Sequence, residues 1–276
     1  KETDPNLTIN IHKDGEGTEN AFDFKKRNLL LGKRKAVFTY IIGYIGTLST
    51  ENIFRALMNI QAEEIESLND LNELCEKYLP FGSCEVTEDP AFAAEEILRG
   101  SAALTIEGFS QVILMDVRDF SMRGIEEPEK DRTLRGPHIG TNESLISNII
   151  QIRRYLRCTF LRTEKYLLGS EIKNEVAILS LKGKCDESFL KTIRGKIKNA
   201  NIPNLSITQE GLNQLLFPRK GLSLINPFPK VRFTERPDVV AASLMEGKIA
   251  ILCDNSPSVI LLPQSVFDFF EEAVVT

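Results

Sequence analysis

The chain has 276 residues, 42% of them hydrophobic and 26% charged, which is material for two domains with separate cores. A formal net charge of −5 excludes the broadly basic surface that neutralises phosphates, so no nucleic-acid partner is expected. Five cysteines (Cys75, Cys84, Cys158, Cys185 and Cys253) are odd in number and lack C-x-x-C spacing, which predicts reduced, mostly packed thiols, a cytosolic compartment and no zinc site.

Residues 1–34 are polar, with basic clusters at Lys25-Lys26-Arg27 and Lys33-Arg34-Lys35, and read as a loosely ordered lead-in. A first α/β subdomain, 35–120, opens with AVFTYIIGYIG at 36–46. That run is far short of the roughly 20 residues that cross a bilayer and reads as a buried strand. Gly43 and Gly46 relieve its end; no Lys-Ser/Thr follows at the spacing of a phosphate-cradling loop. Ser49 or Thr50 caps a helix to about Gln61, and SLNDLNELCEKYL at 67–79 is a second helix with Leu68, Leu71, Cys75 and Leu79 on one side. Helix, strand, tight turn and strand follow between Thr87 and Asp116. Thr87 is placed to cap, Pro90 falls in the first turn, Gly100 ends the helix and Glu107–Ser110 reverses the chain.

Residues 121–172 divide into a charged, proline-containing connector to Pro137, a hinge candidate, and a long linking helix from about Asn142 to Leu168. Leu145, Ile149, Ile152, Leu156 and Phe160 form its apolar stripe. Arg153, Arg154, Arg157, Arg162 and Lys165 make the remainder basic, either a solvated face or one that meets an acidic partner, a neighbouring subunit or anionic lipid. A second α/β subdomain, 173–276, begins with a strand at 174–183 and a helix capped by Asp186 that runs to about Lys198. A strand near 203–208, a helix near 209–216, the stretch 234–263 and a final helix at 265–275 complete it.

The stretch 234–263 repeats an earlier one. Sliding the chain by 147 residues superposes Pro80-Phe81 on Pro227-Phe228, Thr87-Glu88 on Thr234-Glu235, Pro90 on Pro237, Gly100 on Gly247 and Val112-Ile113-Leu114 on Val259-Ile260-Leu261. With Ala94 and Ala103 matching Ala241 and Ala250, 11 of 37 positions are identical, the mark of one α/β unit present twice.

No catalytic constellation emerges. His12 lies in the lead-in and His138 in the connector, with no Cys or second His at ligand spacing, so no catalysis, metal or cofactor is expected. Glu235, Arg236 and Asp238 stand at a helix start, where acidic residues serve the cap and the dipole before any partner. Arg135 and Arg154 lie outside the repeat, and local folding does not account for them. Two function classes remain: a signalling and assembly module, and a two-lobed binder with a small metabolite between its lobes. The chain has no Trp and no polar cluster placed in a cleft, which favours the first.

Three segments, SMRGIEEPEKDRTLRGP at 121–137, NIIQIRRYL at 148–156 and VRFTERPDVVAASLMEGKIAILCDNSPSVILLP at 231–263, together resemble the spore germination A-subunit family. The residues that carry the likeness are Glu126, Glu127, Pro128, Glu129, Arg135, Gly136, Pro137, Gly140, Glu143, Asn148, Arg153, Arg154, Thr234, Glu235, Arg236, Asp238–Ala241, Glu246, Gly247, Asp254 and Pro257. Asp254–Val259 looks more like the stage V sporulation AF branch. Thr141 departs from the pattern, standing where the family usually has an aromatic residue. The resemblance implies the soluble N-terminal region of a spore inner-membrane protein, on the cytosolic side, whose following half spans the membrane. It also implies partner germination subunits, a homo-oligomer, ion release and no enzymatic activity. Glu127, Pro128, Arg135, Gly136, Pro137, Glu143, Arg153, Arg154, Glu235, Arg236, Asp238 and Asp254 are the candidate interaction or hinge residues.

Overall fold

The computed structural model describes residues 21–68, 70–79, 83–119, 139–169, 173–200, 209–218 and 231–263. The chain divides into two compact units, Lys1–Met122 with Arg157–Thr159, and Arg123–Leu156 with Phe160–Thr276. Each contains a five-stranded sheet with its helices, so the α/β class holds, and among the described residues every strand pairing is antiparallel.

In the first unit, strands β1 (Phe24–Leu31), β2 (Arg34–Ile41), β3 (Cys84–Thr87), β4 (Ala102–Ile106) and β5 (Val112–Met115) stand in the order β1-β2-β4-β5-β3. Residues on β2 alternate between two covered faces. Ala36 and Phe38 join the core built with helices α1 (Thr47–Met58), α2 (Ala62–Ser67) and α3 (Leu71–Tyr78). Val37, Thr39 and Ile41 are buried outside that cluster, on the face where α4 (Pro90–Arg99) packs. In the second unit, β6 (Leu161–Leu168), β7 (Asn174–Leu181), β8 (Arg232–Thr234), β9 (Ile249–Cys253) and β10 (Val259–Leu262) stand in the order β6-β7-β9-β10-β8. Val176, Ile178, Ile249 and Ile251 pack with α6 (Glu187–Lys198) and α7 (Gln209–Leu216). Ala177, Leu179, Ala250 and Leu252 face away from that cluster, where α8 (Pro237–Met245) lies on β7, β9 and β10 and against α5 (Leu145–Leu156). The two sheets share one topology, as the repeat requires.

The repeat also recurs at backbone resolution. After α4, Gly100 donates to the Ile97 carbonyl (3.0 Å) and Ser101 to that of Glu96 (2.9 Å); after α8, Gly247 donates to Leu244 (3.0 Å) and Lys248 to Ser243 (3.0 Å). These are the paired bonds of a helix end closed by a left-handed residue, with φ of +112° at Gly100 and +92° at Gly247.

Several expectations need correction. The lead-in to residue 34 contains β1: Leu29 and Leu31 point into the core, and Arg27 stacks over the Phe54 ring at 4.2 Å. Its charges mask a period-two strand. The long helix over 142–168 is instead α5 followed by β6, because Arg157 takes a φ of +40° and Phe160 is exposed. From Leu161 onward the side chains alternate into a strand paired along its full length with β7, so α5 and β6 both belong to the second unit. The 67–79 helix starts only at Leu71, since the Asp70 side chain accepts from the Asn72 amide and caps it there. Thr50 lies inside α1, bonded back to the Gly46 carbonyl, and does not cap it. Thr87 and Thr234 end their strands, each accepting from the amide two residues on, while Asp89 caps α4 and Arg236 occupies the cap position of α8 without a side-chain bond to the helix's free amides. Asp186 does cap α6, through Ser188 and Phe189. The expected strand at 203–208, the final helix at 265–275 and both histidines lie outside the described residues.

Candidate functional site

In the second unit, the segment that precedes α5 is fastened to the β8–α8 and β9–β10 loops by a set of directed hydrogen bonds. Thr141 donates its amide to the Glu235 carbonyl at 2.8 Å. Its hydroxyl sits between the carbonyls of Glu235 (3.0 Å) and Pro257, with one proton to offer the pair. Two residues on, the Asn255 amide donates to the Glu143 carbonyl at 2.8 Å. The Asp254 carboxylate accepts from the Leu145 amide at 3.2 Å, so a residue of the hairpin loop supplies a charged acceptor to the first turn of α5. Ser144, in the cap position, accepts from Ser147 (3.4 Å).

Asn148 locks this segment from the other side. Its Oδ1 accepts from the Asn142 amide at 2.8 Å and its Nδ2 donates to the Asn142 carbonyl at 2.5 Å, so one side-chain amide saturates both backbone groups of a residue. Asn148 is 1% exposed, which makes both bonds costly to lose. Below it, Leu145, Ile149 and Ile152 are buried on the α8 side of the sheet.

Buried Glu235 contributes twice: its carbonyl receives Thr141, and its carboxylate accepts from the Ser258 hydroxyl at 3.1 Å. Beside it, Arg236 and Asp238 form a two-pronged ion pair, Nη2 to Oδ2 at 2.6 Å and Nε to Oδ1 at 3.2 Å. Asp238 also lies in the first turn of α8, where a negative charge suits the helix dipole. Tyr155, half exposed on α5, has its phenol pushed above the usual value, by partial burial first and by the Asp238 charge second.

Of the twelve candidate residues, Glu143, Glu235 and Asp254 make the clasp directly. Arg236 and Asp238 pair next to Glu235, Arg153 is buried on α5, and Arg154 is half-buried. Glu127, Pro128, Arg135, Gly136 and Pro137 lie outside the described residues. Asn148 belongs to the motif but not to the twelve candidates, and Thr141 departs from the family pattern. Asn142 has no signal of its own, since its bonds to Asn148 use backbone groups that leave no mark on residue type, and Ser258 is set apart only by its side-chain partner Glu235. Among the described residues, no group of three or more His, Cys, Asp or Glu is arranged to hold a metal ion, and no helix is long and apolar enough to cross a membrane.

Two of the three motif segments, 148–156 and 231–263, thus converge on one structural feature, and comparison with known proteins gives it a family. The family model described as Bacillus/Clostridium GerA spore germination protein matches residues 15–274. The chain belongs to this family. Among its relatives, spore germination protein KA of Bacillus subtilis (strain 168) is 29% identical over 269 residues, covering 97% of this chain and 48% of that protein. Stage V sporulation protein AF of the same organism is 26% identical over 261 residues, covering 95% and 52%. The chain spans about half the length of the curated relatives it matches. Its GerA-type fold resembles the crystal structure of the N-terminal domain of the A subunit of the Bacillus megaterium spore germinant receptor GerK3, with a TM-score of 0.67, 25% identity and 91% of each chain covered.

Proposed function

We propose that this chain is the N-terminal, extramembrane region of a GerA-type germination protein, on the cytosolic side of the spore inner membrane. In this reading it serves assembly with other germination subunits and further copies of itself, and passes the germination signal to a membrane pore; it carries no catalysis. The observation behind the reading is the clasp. The family-motif residues in the second unit hold one segment, the one that follows the 121–137 connector in the chain, to two loops of one sheet. Hydrogen bonds that fix where a connector enters a domain set the angle at which force or displacement is handed on, which is a mechanical role.

The test uses the full-length protein in spores. Ser258→Ala and Asp254→Asn loosen the clasp while keeping the core, and should slow germinant-triggered ion release without lowering the amount of protein in the membrane. Wild-type release rates from variants whose 139–148 amides exchange faster would overturn the proposal. Association is read separately, by crosslinking full-length protein in membranes.

A further inference from the structure

In the first unit two cysteines from different elements meet. Cys75 lies in the last turns of α3 and Cys84 opens β3; both are half-buried against the same core. Leu79 joins their surroundings, its amide donating to the Cys75 carbonyl at 3.3 Å and its carbonyl accepting from the Cys84 thiol at 3.6 Å. The two thiols are also within hydrogen-bond reach of each other. We propose that Cys75 and Cys84 form a thiol–disulfide exchange site, which a low-molecular-weight disulfide oxidises to a reversible covalent tie between α3 and β3.

The environment assigns the two sulfurs different roles. Hydrogen bonding from Cys75 holds the Cys84 thiol below its ordinary value, while the same bond, and then burial, push Cys75 well above it. Cys84 is therefore the first to ionise and the attacking nucleophile. Its thiolate attacks one sulfur of the reagent RS–SR, the reagent's S–S bond breaks, and RS⁻ leaves with the electron pair. The Cys75 sulfur then attacks the Cys84 sulfur of the mixed disulfide, gives up its proton to the solvent, and expels the second RS⁻. Two protein thiols become one protein disulfide, and the reagent is reduced to two thiols.

The other cysteines lack this arrangement. Cys185 and Cys253 are buried, and burial raises both, Cys253 to about 12, which keeps them protonated and unreactive. Cys158 is half-buried and serves as the comparison thiol. The tie would matter mechanically, since β3 is a four-residue strand that, among the described residues, pairs only with β5.

The experiment treats the 276-residue chain with oxidised glutathione at neutral pH and follows it by intact mass and by peptide mapping without reduction. The expected product has lost two hydrogens, carries a Cys75–Cys84 crosslinked peptide, and unfolds at a higher temperature than the reduced chain. Cys75→Ser should stop at a glutathione adduct on Cys84, and Cys84→Ser should react at Cys75 at least tenfold more slowly than the wild-type pair. A wild-type chain that ends as a stable glutathione adduct at Cys84, that forms no crosslink, or that crosslinks no faster than Cys158 is modified would overturn the assignment. The wild-type mapping decides even if either variant fails to fold.

Discussion

Replacing Asn148 by alanine isolates the clasp's most buried element. The substitution removes the bonds to the Asn142 amide and carbonyl, 2.8 and 2.5 Å long, without adding bulk. Each lost bond contributes about 0.5–1.5 kcal/mol net, and an orphaned amide that water cannot reach adds about 1–3 kcal/mol. Asn142 is only half-buried, so water will restore part of that loss. We expect about 2–4 kcal/mol of destabilisation of the second unit by urea unfolding. The amides of 139–148 should also exchange faster by mass spectrometry, while the β1–β2 hairpin of the first unit should not change. Asn148→Asp carries a further, signed prediction. It keeps the acceptor for the Asn142 amide but sets a second acceptor against the Asn142 carbonyl, so the folded state favours the protonated acid and raises the new carboxyl above the unfolded value of about 3.9. Its stability should therefore lie nearest wild type below that value and fall away as pH rises through the higher folded value. A loss under about 0.5 kcal/mol for Asn148→Ala with unchanged exchange at 139–148, or pH-independent stability of Asn148→Asp relative to wild type, would refute the reasoning.

Asp254→Ala should cost about 1 kcal/mol by denaturant unfolding, the usual loss for a charged acceptor at a helix start, and should expose the Leu145 amide to exchange. Gly247→Ala should cost more than Gly183→Ala in melting temperature. Both have positive φ, but a Cβ at 247 would stand 2.6 Å from the Lys184 carbonyl oxygen, and one at 183 would meet nothing within 4 Å. In the first unit, the Arg118 guanidinium holds the Asp116 carboxyl below the usual range. That contribution is present above the unfolded value and is lost as pH falls through the depressed folded value. Asp116→Asn should accordingly flatten the acid side of the first unit's stability profile, read by melting at a series of pH values.

The glycine-closed helix ends, the Asp186 cap and the buried hairpins were legible because their signals are local, whereas the helix starts expected at Thr50, Ser67, Thr87 and Thr234 were not. Gly100, Gly247 and Asp186 are residue types that a particular backbone shape selects, and the apolar runs on β4, β5, β9 and β10 are uniformly buried. Edges failed as well. On β1 the four residues Lys25–Asn28 are all exposed, so Lys25-Lys26-Arg27 read as a tail, and on β6 Arg162, paired with Glu187, and Lys165, paired with Glu175, read as the basic side of a helix. The clasp was half legible: Asp254 and Glu235 stood out as residue types, but Thr141, Asn142 and Asn148 act on backbone groups that any sequence supplies.

The two copies explain why the family-motif residues fall in the later one. Both share the bond from the hairpin turn to the neighbouring strand, Glu107 amide to Lys35 carbonyl at 2.8 Å and Asp254 amide to Glu175 carbonyl at 2.9 Å. Both also pair the glutamate after the Thr with the residue before the last strand, Gln111 to Glu88 at 3.3 Å and Ser258 to Glu235 at 3.1 Å. The difference lies in what is added. Glu107 turns its carboxylate back to the Lys35 amide, and the Gln111–Glu88 pair is exposed. Asp254 points its carboxylate to α5, and Glu235 is buried, its carbonyl taken by Thr141. An exposed pair tolerates any polar residue, because water replaces a lost partner at little cost. Once α5 and the segment before it are in place, the same positions become buried acceptors with fixed donors, and substitution leaves an unsatisfied group. The added helix, rather than the repeated unit itself, is what turns a shared structural turn into a motif.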